Sequence, residues 1–228
     1  MTKSLDGIRI QFSAALPQEL NRTSRAQELQ SLVSRLFVEV GRLGGEVIFG
    51  GHPTVTPLVH RLVDGGRLDR GAVHLVLAKG FDKKPPNEAH DTSVFVNRQL
   101  YGKGAAPSDP AGLADDLREM RQAMSKSSRA AVFMGGLTHG NVGGGVPGLE
   151  EEWEIFRDTN PRAPVFVTGM LDGYCRAQLV PKLVSGTLDD HTGLPAARRQ
   201  RLFDATDAAE VSSIIIAQLV ALARSGKL

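Results

Sequence analysis

Glycine pairs that follow apolar runs are the residues in this chain whose spacing best suits ligand chemistry. In "VIFGGHPT", Gly50 and Gly51 end an apolar run and His52 follows directly. "AVFMGG" ends in the same way on Gly135 and Gly136. Glycine lets backbone N–H groups approach a ligand, and a helix that follows adds free N–H groups and a positive dipole end. This spacing predicts a site for a phosphate or a sugar.

Loop residues beside these glycines complete the predicted site. A third apolar run, "VFVTG", ends on Gly169. Asp172 has two interpretations, a hydrogen bond to a ribose hydroxyl or a helix cap. His52 and His139 lie in the loops of the predicted site and are either ligand contacts or exposed loop residues. Each glycine pair, taken alone, could also serve only to form a tight turn. The predicted ligand-binding residues are Ser13, Ala14, Gly50, Gly51, His52, Thr54, Gly135, Gly136, His139, Gly144, Gly145, Val146, Glu151, Gly169 and Asp172.

Three consecutive glutamates open the helix predicted from "PGLEEEWEIFRD". Acidic side chains in a first turn complement the helix dipole, and Glu150 and Glu152 are interpreted as surface charges of that kind. For Glu151 both interpretations stay open, a surface charge or a group in the site. Trp153 is predicted to belong to the core.

Two common nucleotide motifs are missing from the sequence. It contains neither G-x-x-x-x-G-K-[ST] nor G-x-G-x-x-G after its first predicted strand, which argues against a P-loop NTPase and a standard NAD dehydrogenase. The remaining histidines show no metal-ligand spacing, so neither a metal nor a cofactor is predicted.

Composition indicates an ordinary globular protein. The chain has 228 residues, of which 41% are hydrophobic and 23% charged, and its formal net charge is +2. So small a charge gives no case for nucleic acid or an anionic membrane as a partner. The single cysteine, Cys175, and a start without an apolar signal segment lead us to expect a cytoplasmic protein.

Strand and helix patterns alternate along the chain. This alternation predicts an α/β fold, a Rossmann-like three-layer sandwich with a mainly parallel sheet, and one domain over residues 1–228. Pro53 is predicted in the first turn of a helix, and Asp109 is predicted to precede another. Strands are predicted at 7–15, 46–51, 72–78, 92–96, 130–136 and 163–169. Helices are predicted at 23–43, from Pro53, from Asp109, at 147–158, at 171–184 and at 205–224.

Several stretches together resemble the SLOG superfamily over nearly the whole chain. They are "GGEVIFGGHPTVTPLV", "VFMGG…GVPGLEEEWEIF" and "PVFVTGMLDG", of which "FGGHPTVTPLV" is the most specific. The resemblance is to the prokaryotic, LSDAT-like branch related to the ligand-sensing region of melastatin-type TRP channels. It extends more distantly to the Lonely Guy phosphoribohydrolases.

The resemblance implies a protein that binds a nucleotide-derived small molecule such as ADP-ribose, cyclic ADP-ribose or an NAD-related compound. It implies a sensor in bacterial stress or anti-phage signalling. The enzymes of the superfamily carry P-G-G-x-G-T-x-x-E, and "PGLEE" places Glu151 at the catalytic glutamate. Here Met134 replaces the motif's proline and a longer loop intervenes. Two alternatives therefore remain, an N-glycosidic hydrolase of nucleotides that uses Glu151, and an assembly module with a vestigial crevice.

Further expectations concern the order of the strands in the sheet and the contacts of this protein with other subunits or proteins. The strands that end on Gly51 and Gly136 are expected to be adjacent in one sheet, with both glycines at the same edge. The terminal helix has an unusually wide apolar face, which predicts a homo-oligomer. A sensor also passes its signal on, so self-assembly or a separate effector protein is expected to supply the output.

Overall fold

Six strands form one sheet in the computed structural model, which describes residues 4–16, 24–82, 95–106, 108–138 and 147–228. Every pairing is parallel, and the spatial order is β4-β3-β2-β1-β5-β6. The strands are β1 (Arg9–Ala15), β2 (Glu46–Phe49), β3 (Val73–Ala78), β4 (Asn97–Tyr101), β5 (Ala130–Gly135) and β6 (Val165–Thr168).

β1 lies between β2 and β5, and this position decides where a ligand site can form. The chain builds outward from β1 to β4 on one side and then crosses to β5 and β6 on the other. The expectation that β2 and β5 are adjacent is therefore wrong, because β1 separates them. Since all the strands are parallel, Gly51 and Gly136 nevertheless follow strands that end at the same edge.

Eight α-helices are present in the described part of the chain. They are α1 (Ser24–Arg42), α2 (Thr56–Asp64), α3 (Lys79–Asp82), α4 (Pro110–Lys126), α5 (Gly148–Thr159), α6 (Val180–Val184), α7 (Ala196–Asp204) and α8 (Ala208–Arg224). A 3-10 turn at Arg70–Ala72 precedes β3, and a π-helical segment at Cys175–Leu179 runs into α6.

Helices cover both faces of the sheet, which confirms the three-layer Rossmann-like architecture. α1, α2 and α8 pack on one face around a core that includes Phe12, Phe37 and Phe49. α4 and α5 pack on the other face, against side chains such as Phe133 of β5 and Val76 of β3. The apolar stripe of α1 is buried as its spacing predicts. Its buried members are Ala26, Leu29, Leu32, Val33, Leu36, Phe37 and Val40.

Capping residues set several helix ends where the sequence predicts them. The Asp109 carboxylate accepts a hydrogen bond from the Gly112 N–H and caps α4, with Pro110 in the first turn. Gly44 follows α1 with a φ of 84°. The regular part of α2, by contrast, begins at Thr56 rather than at Pro53. Pro57 occupies its first turn, and Pro53 lies in the preceding turn.

The fourth strand does not lie where the apolar run predicts it. β4 is Asn97–Tyr101, whereas the prediction was 92–96; residues 92–94 are outside the described residues. Phe95 is a buried anchor whose ring lies 6.1 Å from that of Phe49. β4 is an edge strand with partly exposed residues, so it needs no apolar run.

The C-terminal region contains a helix that the sequence pattern does not predict. α7 precedes α8, and the terminal helix therefore begins at Ala208 instead of Ala205. The Asp207 carboxylate accepts a hydrogen bond from the Ala209 N–H and caps α8. α7 packs beside β6, where the Thr168 hydroxyl donates to the Leu202 carbonyl. Among the described residues, no helix combines the length and the hydropathy needed to cross a bilayer.

Candidate functional site

The ends of β1 and β5 meet at the point where the sheet reverses its direction of growth. In open α/β sheets, ligands bind outside the carboxyl ends of the strands at such a point. Gly135 and Gly136 leave β5 with φ values of 66° and 94°. The Gly136 N–H donates to the Ala15 carbonyl at 2.8 Å, and the Tyr174 N–H donates to the Gly136 carbonyl at 3.0 Å. The backbone at the centre of the edge is thereby held in one conformation.

Gly50, Gly51 and His52 lie at the end of β2, on the other side of β1. Gly51 has a φ of 71°, and the side chain of Leu77 fills the space where its Cβ atom would stand. The glycine is therefore favoured by the backbone conformation itself, because L side chains rarely adopt a φ of this sign. Gly50 lies beside Met120, whose Cε atom is 3.2 Å from the corresponding Cβ position.

His52 is partly buried and has a defined tautomer. Its Nδ1 atom accepts a hydrogen bond from the Thr54 N–H at 3.2 Å, so Nε2 carries the proton. Burial lowers the pKa of His52 to about 4, which keeps the imidazole neutral at pH 7. The ring is therefore able to offer a hydrogen-bond donor to a ligand without adding a positive charge.

A hydrogen bond between Ser13 and Glu152 joins β1 to α5 near the switch point, the place between β1 and β5 where the strand order reverses. The Ser13 hydroxyl donates a short hydrogen bond to Oε2 of Glu152. Ser13 is 3% exposed, and 17% of the Glu152 side chain is exposed. Burial raises the pKa of Glu152, while Arg121 and the Ser13 hydroxyl oppose that rise. Interpreting Glu152 as a surface charge is therefore wrong.

Glu151 points to α4 rather than to the end of β1. One carboxylate oxygen accepts from Arg118 at 2.9 Å, and the other makes a short contact with Nη1 of Arg121. Two guanidinium groups thus neutralise the candidate catalytic glutamate. Arg121 is buried, and its Nε atom lies 3.6 Å from Oε1 of Glu152, with no hydrogen-bond partner among the described residues.

The loop after β6 forms the far side of the edge. A Cβ atom on Gly169 would collide with the carbonyl oxygen of Phe203, so this glycine serves close packing. Asp172 forms an ion pair with Arg25 of α1 at 3.3 Å. The helical segment that follows has Tyr174 at its N-cap with no side-chain cap, so Asp172 is not a helix cap.

Asp116 of α4 ties together the loops that follow β3 and β4. It is 2% exposed, and its carboxylate accepts hydrogen bonds from four backbone N–H groups. The donors are Gly80 at 3.2 Å, Lys103 at 2.7 Å, Gly104 at 3.0 Å and Ala105 at 2.9 Å. These bonds outweigh the effect of burial and lower its pKa. The Asp116 side chain thus holds the segments that follow β3 and β4 together at this edge of the sheet.

Some of the predicted site residues cannot be placed. His139, Gly144, Gly145 and Val146 lie outside the described residues. Ala14 points to the face that carries α1 and α8, away from Ser13, and packs against the core there. In the part of the chain that the structure describes, no three His, Cys, Asp or Glu side chains are grouped to hold a metal ion.

Two signals in the sequence could have identified Glu152. Leu149, Trp153 and Phe156 are the buried residues of α5, and Glu152 lies three residues after Leu149 and four before Phe156. Helical periodicity therefore places it on the inner face. The spacing from Gly148 to Glu152 also equals that from glycine to glutamate in G-T-x-x-E. The same periodicity applies on α4, where Asp116 lies three residues after Leu113 and four before Met120, and Arg121 lies three before Met124.

The sequence profile of the SLOG cluster3 family matches residues 21–179, which is more than half of the chain. The chain belongs to the SLOG cluster3 family. The matched part of this SLOG protein includes the ends of β2, β5 and β6, all of α5 and the π-helical segment. No curated protein matches the chain.

Membership of a SLOG family suggests binding of a nucleotide-derived ligand or a related function. It confirms the resemblance at the level of the superfamily. The narrower relation to the sensing regions of TRP channels stays a prediction.

Proposed function

We propose that this SLOG protein binds a nucleotide-derived small molecule and acts as a sensor. The proposed ligand is ADP-ribose, cyclic ADP-ribose or an NAD-related compound. The proposed biological context is bacterial stress or anti-phage signalling. The observation that carries the proposal is the Ser13–Glu152 pair beside Gly135 and Gly136 at the switch point. A carboxyl group and a hydroxyl close to the N-terminus of α5, which has no side-chain cap, suit a ribose and its phosphate.

The ion pairs of Glu151 favour binding over hydrolysis by that residue. A general acid or base must reach the reacting atoms, and its carboxyl must be free to exchange a proton. Glu151 instead contacts Arg118 and Arg121 on α4. Its role is therefore proposed to be structural, and the assignment of catalysis to Glu151 loses its support.

Thermal denaturation in the presence of candidate ligands tests the proposal. AMP, NAD, ADP-ribose and cyclic ADP-ribose isomers are added separately to the wild type. A ligand at a hundred times its Kd adds about 2.7 kcal/mol to the free energy of unfolding. Glu152→Gln should reduce that increase, whereas Glu154→Gln, at an exposed position on the same helix, should not. No increase with any of these ligands would contradict the proposal.

An N-glycosidic hydrolase is the second candidate, and the environment of Glu152 is the observation that favours it. Burial raises the pKa of this carboxyl, as is usual for a general acid. Base release from the same nucleotides, followed by chromatography, separates the two functions. A hydrolase should lose about a hundredfold in turnover with Glu152→Gln. A ligand that binds and is recovered intact supports the sensor.

The output of a sensor requires a further contact. We infer that self-assembly or a separate effector protein supplies it. The outer face of α8 supports self-assembly, because half-buried Ile214, Ile216 and Val220 flank exposed small residues there. An assembly module with a vestigial crevice would form the same contact but bind none of the nucleotides.

A further inference from the structure

Five side chains form a continuous polar chain from the end of β1 to the surface of α4. They are Ser13, Glu152, Arg121, Glu151 and Arg118 in that order. At the inner end Ser13 is buried, and at the outer end 62% of the Arg118 side chain is exposed. Arg121 stands at the centre of the chain, between two carboxylates.

Arg121 lies closer to one of its two carboxylate neighbours than to the other. Its Nη1 atom is in direct contact with Glu151, whereas its Nε atom remains 3.6 Å from Glu152. That Nε atom is buried and has no hydrogen-bond partner in the part of the chain that the structure describes. A buried guanidinium N–H without a partner is costly, so a nearby carboxylate that leaves it unpaired needs a reason.

The reason lies in the contacts that Glu151 makes. Because Glu151 of α5 contacts the Nη1 atom of Arg121 and is itself held by Arg118, the guanidinium is drawn away from Glu152. Consecutive residues of a helix point about 100° apart, so Glu151 and Glu152 cannot present their carboxylates to Arg121 from the same direction. Direct contact with one therefore competes with direct contact with the other.

We infer that Glu151 is a positioning residue, which holds Arg121 out of hydrogen-bond contact with Glu152 and so keeps the Glu152 carboxyl available for hydroxyl groups. Ser13 supplies one such hydroxyl. This inference rests on the proposed function for its second partner, which is a ribose hydroxyl of the nucleotide-derived ligand. A Glu152 that formed a full ion pair with Arg121 would have both oxygens engaged.

Titration of Glu152 in the ligand-free protein tests the inference. Its side-chain carboxyl is followed by carbon-13 NMR in the wild type, in Glu151→Gln and in the exposed control Glu154→Gln. Comparison with Glu152→Gln assigns the signal. Glu151→Gln should release Arg121 toward Glu152 and lower the pKa of Glu152, whereas Glu154→Gln should leave that pKa in place.

A double-mutant cycle separates the movement of Arg121 from the simple loss of the Glu151 charge. The Glu151→Gln substitution is repeated in an Arg121→Gln background, and the lowering should be smaller there. An equal lowering in both backgrounds would overturn the inference, because Glu151 would then act on Glu152 directly.

A second cycle uses the exposed Arg118 and avoids the buried arginine, so it applies even if Arg121→Gln does not fold. Arg118→Gln should lower the pKa of Glu152 in the wild type, because Glu151 is then no longer held by Arg118 and draws Arg121 away less strongly. The lowering should disappear in the Glu151→Gln background. A rise, which the loss of a positive charge alone would give, would count against the inference. Neither cycle uses a ligand, so failure here is distinct from failure of nucleotide binding.

Discussion

Gly135 at the end of β5 packs so closely on Ala15 of β1 that a Cβ atom on Gly135 would collide with the Ala15 carbonyl oxygen. The same oxygen accepts the Gly136 N–H at 2.8 Å. The two strand ends are therefore in direct backbone contact. This junction is the centre of the edge at which we place the ligand site.

We predict that Gly135→Ala destabilises the protein more than Gly66→Ala. The two glycines have nearly the same φ, 66° and 67°, but a Cβ atom on Gly66 would meet nothing within 4 Å. Gly66→Ala should cost about 1 kcal/mol for its left-handed backbone. Gly135→Ala should cost about 1–3 kcal/mol more, because the backbone of β1 must move. Urea denaturation measures both, and equal losses would contradict the prediction.

Asp116→Asn is predicted to destabilise the protein by about 2–3 kcal/mol at pH 7. An amide cannot accept hydrogen bonds from all four backbone donors, and its own N–H group faces one or more of them. Asp115→Asn, at the exposed neighbouring position, is the matched control and should be nearly neutral. Chemical denaturation of the two variants provides the comparison.

The effect of Asp116→Asn should depend on pH. Because the folded-state pKa of Asp116 is lowered, its carboxylate stabilises the protein above the unfolded-state pKa of about 4. That contribution is lost as the pH falls through the folded-state pKa. The difference between wild type and variant should therefore shrink in acid, and a constant difference would show that charge is not involved.

His52 is predicted to reduce the stability of the protein as the pH falls from about 6.5, its value in an unfolded chain, to about 4. Over that range the unfolded chain binds a proton that the folded imidazole does not. His52→Asn keeps an acceptor for the Thr54 N–H and removes the titration. The variant should therefore lose less stability than the wild type between pH 7 and pH 4.5, as measured by urea denaturation. Titration of the His52 imidazole near 6.5 by NMR would contradict this.

Self-association through α8 is the last prediction. Ala217 is exposed at the middle of the outer face of α8, where a lysine would place a charge in the predicted contact. Ala217→Lys should convert an oligomer into a monomer without lowering the free energy of unfolding of the subunit. Ala197→Lys on α7 is the control, since Ala197 is also exposed. Light scattering measures the mass, and a wild type that is monomeric at tens of micromolar would refute the prediction.

Apolar periodicity predicts the buried helix α1 well but misplaces the edge strand β4. α1 is predicted at 23–43 and observed at Ser24–Arg42, because a helix that buries one face must repeat its apolar residues every three or four positions. β4 is an edge strand whose side chains are partly or fully exposed, so burial does not require apolar residues there. The apolar Phe95 beside it serves the core instead.

Local sequence determined the fold class of this protein, because alternating strand and helix patterns permit few arrangements other than a parallel sheet covered on both faces. It also placed glycines at the strand ends and Glu152 on the inner face of α5. Only the tertiary structure decided that β1 separates β2 from β5, and that Arg121 contacts Glu151 instead of Glu152. Strand order and ion-pair choice both depend on residues far apart in the chain. The packing of α4 against α5 brings Arg121 close to the two glutamates, and the pairing of β1 with both β2 and β5 sets the strand order.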